Sequence, residues 1–246
     1  MTELNWIEKD MEYGPKRGVN NKLSWKIHHN IGGFYSNKME KEVEYESLGE
    51  CLFYYFLELD PQTVRYYVQP VEVAIPYYTK DRDKGFWTHV PDVLVFRAEE
   101  PPSLFQIKES KESTDQHSLV NRVCTRYAAE KGWRYEVVYP KMLPKEVIYN
   151  INYLHGFTRP RRAFKYWGEE VMERIKFFEE SSIDEICTSF APKADPLMIK
   201  PIIYHLIAKG ILHVDLYKKI SSATKLISKP GVLQLDQMFN AEEIVE

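Results

Sequence analysis

Between Glu46 and Pro61 the apolar residues Leu48, Cys51, Leu52, Tyr55, Phe56 and Leu59 recur at spacings of three and four. That period predicts an amphipathic helix, and Pro61 closes it. Glu50 stands just off the apolar stripe, where its carboxylate can reach a sheet edge. The period then shortens. Val64–Gln69 and Val71–Tyr78 are β-branched and aromatic runs with partial alternation, read as two strands broken at Pro70. Pro91-Asp92 opens a third run, Val93-Leu94-Val95-Phe96, and Leu104-Phe105-Gln106-Ile107-Lys108 forms a fourth. Leu119, Val120, Val123, Cys124, Tyr127 and Ala128 restore helical spacing up to Gly132, and Trp133–Tyr139 returns to a strand. Strand, helix, strand implies a right-handed crossover and an α/β layer with helices packed on a mixed sheet. Met142–His155, with Val147, Ile148, Ile151 and Leu154, predicts a helix that closes this domain at about residue 158.

Gly156–Arg162 reads as a linker, and Arg159, Arg161 and Arg162 with Lys165 make the densest basic cluster of the chain. A solvated hinge is the plainer reading of such a cluster, a phosphate clamp the sharper one. Residues 159–246 then predict a smaller domain. Ser182-Ile183-Asp184-Glu185 is a helix start, Asp195-Pro196 another, and Gly210 a stop. Ile211–Leu216 and Thr224–Ser228 predict two strands flanking Lys218 and Lys219. Helix, turn, helix and a two-stranded wing is the winged-helix order.

Four polar residues interrupt the pattern in an informative way. On a strand alternate side chains share a face, so Gln106 and Lys108 lie side by side while Ile107 points inward. Asp92 begins the preceding strand and Glu50 sits on the helix before it. One solvated sheet face would explain Gln106 and Lys108 alone. Together with Asp92 and Glu50 they suggest a metal-dependent nuclease centre.

The helix YESLGECLFYYFLELDP, the Gln69-Pro70 after the first strand, the PDVLVF strand and the QIK strand, with Gly33-Phe34-Tyr35-Ser36 and Lys38 upstream, resemble TnsA, the endonuclease subunit of heteromeric transposases. The resemblance runs from about Trp25 to Tyr139. It implies a restriction-endonuclease-like domain of the PD…(D/E)xK type, in which Gln can replace the second acid. Glu50, Asp92, Gln106 and Lys108 would be catalytic. Glu50, Asp92 and Gln106, with the Ile107 carbonyl, would bind Mg²⁺, with Mn²⁺ as a substitute. Two such ions, about 3.5–4 Å apart, clamp the attacking and leaving oxygens in sites of this kind. Glu46 lies one turn before Glu50, and Glu50 is preferred because it keeps the family spacing to the LELDP end of the helix. Lys38, His89 and Lys111 near the centre, and Arg159, Arg161, Arg162, Lys218, Lys219 and Lys225 in the tail, are assigned to DNA or partner contact. The implied partners are transposon-end DNA, a TnsB-like integrase-type transposase and a TnsC-like AAA+ ATPase regulator.

Composition narrows this little. The chain has 246 residues and a net charge of −3, and from Arg159 onward it holds 13 Lys+Arg and 13 Asp+Glu. Neither figure favours DNA binding over the whole surface. Cys51, Cys124 and Cys187 are far apart and read as buried thiols in a reducing compartment. There is no signal peptide and no long apolar run, so a cytoplasmic, nucleoid-associated bacterial protein without membrane contact is expected. Two other readings stand beside the transposase subunit: a stand-alone restriction or repair nuclease, and a catalytically silent DNA-binding or assembly subunit.

Overall fold

A computed structural model of the chain describes residues 5–17, 31–78, 83–111, 114–178, 180–227 and 238–239. The chain divides into two compact units, Met1–Cys51 with Thr63–Met142, and Leu52–Gln62 with Leu143–Glu246. The expected boundary after residue 158 differs from this division, which falls between Met142 and Leu143.

The first unit begins with helix α1 (Trp6–Glu12) and the hairpin β1 (Gly32–Ser36) and β2 (Lys41–Tyr45), followed by the first turn of α2 (Leu48–Leu59). Strands β3 (Thr63–Val68), β4 (Val73–Tyr78), β5 (Lys84–His89), β6 (Val93–Arg97) and β7 (Ser103–Ile107) follow, then helix α3 (Asp115–Glu130) and strand β8 (Arg134–Val138). The main sheet has the order β3-β6-β7-β8 and is mixed, as the pattern predicts: β6 runs antiparallel to both neighbours, and β7 pairs with β8 in parallel. β6 lies inside the sheet with Val93, Leu94, Val95 and Phe96 all buried. A strand covered on both faces has no polar side to alternate with, which is why its sequence reads as one apolar block. On α3 the buried residues are Val120, Cys124 and Ala128, a stripe at spacing four. Thr114 caps that helix by accepting from the His117 N–H, and Gly132, at φ 73°, makes the left-handed turn into β8.

Two features go beyond the pattern. β4 forms as read but lies outside the main sheet. It pairs with β5 as a separate antiparallel hairpin, and β5 is absent from the pattern reading because its residues alternate only between exposed and half-buried. Nor is α2 single-faced. Phe53, Tyr54, Leu57 and Glu58 are buried along with Leu52, Phe56 and Leu59. A helix buried nearly all round shows a 3.6-residue period that understates its apolar surface.

The second unit holds the remainder of α2 together with α4 (Lys145–His155), α5 (Arg162–Phe177), α6 (Ile183–Ser189) and α7 (Pro196–Ala208). α6 carries the predicted capping box: Ser182 Oγ accepts from Glu185 N–H, and the Glu185 carboxylate accepts from Ser182 N–H. The bonds that this carboxylate accepts from Ser182 N–H and Ser182 Oγ–H, with the Lys225 charge, hold it down to about 2. Asp195 and Pro196 start α7, and Gly210, at φ 68°, ends its turn. The linker expected over Gly156–Arg162 runs directly into α5, whose buried Phe164, Val171 and Ile175 form its core stripe. The wing is reduced to single antiparallel bridges, Ser182 with Lys225 and His213 with Ile227, and no strand forms over the expected segments among the described residues. The tail is a helical segment in which three short segments, at Ser182, His213 and Lys225–Ile227, are joined by bridges rather than by full strands. No helix among the described residues is long and apolar enough to cross a membrane.

Candidate active site

The sheet register builds the site. β3 and β6 pair Val68 with Val93, and β6 and β7 pair Val93 with Phe105. One residue further along each strand, Gln69, Asp92 and Gln106 therefore come level at the sheet's end. Backbone bonds hold that row: Gln69 N–H donates to Asp92 O at 2.8 Å, and Asp92 N–H donates to Phe105 O at 3.1 Å. Lys108 lies just past β7, tied by its N–H to Val138 O at 2.9 Å.

Asp92 is the centre of the cluster. Its Oδ2 accepts from Gln106 Nε2 at 2.5 Å and from Ile107 N–H at 2.6 Å. Burial, with the nearby Glu50 charge adding to it, pushes the Asp92 carboxyl up to about 8. Glu50 enters from the first turn of α2, which approaches β7 closely: a Cβ on Gly49 would lie 3.6 Å from Ile107 Cγ2. Its carboxylate accepts from Glu46 N–H at 2.9 Å and Ser47 Oγ–H at 3.1 Å. Burial raises its pKa against the pull of those two bonds. Glu46 instead makes an ion pair with Arg17. Burial lowers the Lys108 pKa, and the Asp92 charge opposes that shift. The four residues singled out in the sequence are thus gathered in the first unit, linked by hydrogen bonds or by charge.

The other predicted contact residues are placed differently. Lys38 is part-buried and donates to Thr63 O at 2.6 Å, a structural bond within the unit. His89 turns to Gln106, its Nε2 lying 2.9 Å from Gln106 Oε1. Lys111 lies 6.0 Å from the Tyr139 ring. In the second unit Arg159, Arg161 and Arg162 are exposed, Lys218 pairs with Asp215, Lys219 sits 4.2 Å over the Tyr149 ring and Lys225 pairs with Glu185. Sequence reading gave no site role to Arg17 and Gln69. The Arg17 charge acts on Asp92, Glu50 and His89, and Gln69 Oε1 is buried with no hydrogen-bond donor among the described residues. Both line a cavity of about 280 Å³ with Tyr13 and Lys41. The strand register could have flagged Gln69; nothing in the local pattern points to Arg17.

Residues 60–139 match the family model described as TnsA-like endonuclease N terminal. The matched span holds His89, Asp92, Gln106 and Lys108 and begins after Glu50. A search of curated proteins found no match. An endonuclease domain implies phosphodiester hydrolysis with DNA as the substrate.

Whether a divalent cation suits this centre can be judged from its donors. Among the described residues no three His, Cys, Asp or Glu side chains come together as a cage. The acid ligands would be Asp92 and Glu50, with the Glu46 charge acting on both, and further protein donors would be neutral: the Ile107 carbonyl and, once its amide turns, the Gln106 oxygen, which in this structure faces His89. Mg²⁺ takes one or two carboxylates and keeps several waters, so the set fits it. The raised Asp92 and Glu50 carboxyls are also what two desolvated acids show in the absence of a cation to offset them.

Proposed function

We propose that this chain is a Mg²⁺-dependent endonuclease that cleaves the 5′ strands at transposon ends, working with an integrase-type transposase and an AAA+ ATPase regulator. The observation that carries the reading is the desolvated Asp92 carboxylate level with Gln106 and beside Lys108, inside a segment matching a TnsA-like endonuclease domain. Metal ions, when bound, supply Lewis acidity and an activated water. The chain's own residues do the placing. Asp92 and Glu50 would hold the metal ions, with the Ile107 carbonyl and the Gln106 oxygen completing the ligands. Lys108 orients the attacking water and offsets phosphate charge. With a net charge of −3 the chain has little positive surplus to neutralise a long DNA footprint, so recruitment by partners suits it.

The test is strand-specific cleavage mapped on DNA carrying the transposon ends, with and without the two partner proteins, in Mg²⁺ and in EDTA. The expected outcome is Mg²⁺-dependent nicking of the 5′ strands only with partners present, abolished by Asp92→Ala. Sequence-selective cutting of plasmid DNA by the chain alone would favour a stand-alone nuclease. Wild-type rates in the Asp92→Ala protein would overturn the site.

A further inference from the structure

We infer that His89 is a positioning residue for Gln106, and that its ring nitrogen sets which end of the Gln106 carboxamide faces Asp92. The inference rests on the metal-site reading above. A carboxamide has a donor end and an acceptor end, so partners at its two ends must be complementary. In this structure Gln106 Oε1 faces His89 Nε2 at 2.9 Å, and Gln106 Nε2 donates to Asp92 Oδ2 at 2.5 Å. An amide oxygen can only accept, so in this amide orientation the bond requires a donor at His89 Nε2. The end of Gln106 beside Asp92 is then a donor, and an N–H cannot ligate a cation.

To offer oxygen on the Asp92 side, the amide must turn end for end. Its NH₂ group then meets His89, and only a lone pair on Nε2 can receive it. Neutral histidine supplies one in its other tautomer, with the proton on Nδ1. Histidine at this position therefore completes the hydrogen bonds of both amide orientations, one per tautomer. A donor-only side chain would fix Gln106 with its nitrogen toward Asp92, and an alanine would leave one amide end unpaired. His89 is itself held in place. It ends β5 opposite Val73, with the Trp87 ring edge-on at 5.9 Å. In the orientation shown, without a metal, the amide also gives Asp92 a donor that a carboxylate at this position could not.

The test measures Mn²⁺ binding to the full chain without DNA, by electron paramagnetic resonance titration of the free ion. Wild type should bind Mn²⁺, and Asp92→Ala should abolish that binding. His89→Ala should weaken it by about 10–100-fold, the usual cost of losing a residue that orients a metal ligand. His89→Gln, whose amide can present either end, should restore most of the affinity, and His89→Lys, donor-only, should not. If His89→Ala fails to fold, the Gln and Lys variants decide the matter between them. Alanine or lysine variants that bind as tightly as wild type overturn the positioning role. Wild-type Mn²⁺ binding that is indifferent to Asp92→Ala overturns the metal-site reading itself, and the inference with it.

Discussion

Glu50 and Ser47 bond to each other twice across the first turn of α2: Glu50 N–H donates to Ser47 Oγ at 3.1 Å, and Ser47 Oγ–H donates to a Glu50 carboxylate oxygen at the same distance. The proposed metal ligand therefore also caps its own helix, and the two roles can be separated. Glu50→Gln keeps an oxygen for Glu46 N–H and Ser47 but removes the charge. It should melt within a degree or two of wild type while losing cleavage by at least about 10²-fold, as for one preorganised stabilising group. Glu50→Ala also loses the carboxylate's bonds to Glu46 N–H and Ser47 Oγ–H, while the residue-50 N–H still donates to Ser47 Oγ, and should cost about 0.5–1.5 kcal/mol for each bond lost. Calorimetry in EDTA beside a cleavage assay checks both, and an active Glu50→Gln protein would reduce Glu50 to a cap.

Asp92 should make the metal-free fold less stable than it could be. Its carboxyl is pushed up to about 8 by burial first and by Glu50 second. Below the ordinary carboxylate range it is neutral in both states and costs nothing. As pH rises toward 8 the folded protein keeps a proton that the unfolded chain has released, so stability falls across that window and then levels off. Asp92→Asn should flatten the profile and, at neutral pH in EDTA, stabilise the fold by about 0.5–2 kcal/mol while abolishing cleavage. Urea unfolding from pH 5 to 9 reads this directly, and parallel wild-type and Asn profiles would count against a desolvated Asp92.

How much of this was legible follows from which residues are buried. The β6 block, the QIK strand and the α6 and α7 starts read correctly because each carries an apolar run or a capping residue whose partner is local. Asp92 and Gln106 could be paired from sequence since both border such runs. β1, β2 and β5 could not, because few of their side chains are buried: only Ser36 and Val43 in the first hairpin and none in β5. α5 was hidden by the arginines at its start, which read as a hinge. The His89 to Gln106 bond depends on a hairpin whose second strand left no pattern, so His89 read as a strand-end histidine or a phosphate contact and not as a partner of Gln106.

The three cysteines test burial without reference to the site. Cys51, Cys124 and Cys187 are buried and in no disulfide, as expected, and burial pushes the Cys124 and Cys187 thiols up to about 11. Since the thiolate is the reactive form, the native chain should resist iodoacetamide at pH 8 and take up three equivalents only after unfolding. Rapid labelling of Cys124 or Cys187 in native protein, located by peptide mass, would mean that α3 or α6 is more open than described.

Asn150 bears on where the second unit begins. Its side chain is fully buried on α4, donating to Leu216 O at 2.8 Å and Lys218 O at 2.9 Å and accepting from Ile220 N–H at 3.0 Å. One side chain thus satisfies three backbone groups of the loop after α7, and Tyr153 adds a ring contact to Tyr204 at 5.1 Å. α4 accordingly belongs with the C-terminal helices rather than closing the nuclease unit. Asn150→Ala leaves those groups without partners and should cost about 1–3 kcal/mol for each that stays dry. Asn150→Asp keeps an acceptor for Ile220 but opposes two carbonyls with a carboxylate, and should be no better tolerated. Hydrogen exchange should show Ile220 and its neighbours losing protection in Asn150→Ala while β6 and β7 keep theirs. A fragment ending at residue 158 would expose Asn150 and Tyr153 and should melt below the full chain. If that fragment proved as stable as the intact protein, with α4 fully protected, α4 would belong to the first unit after all.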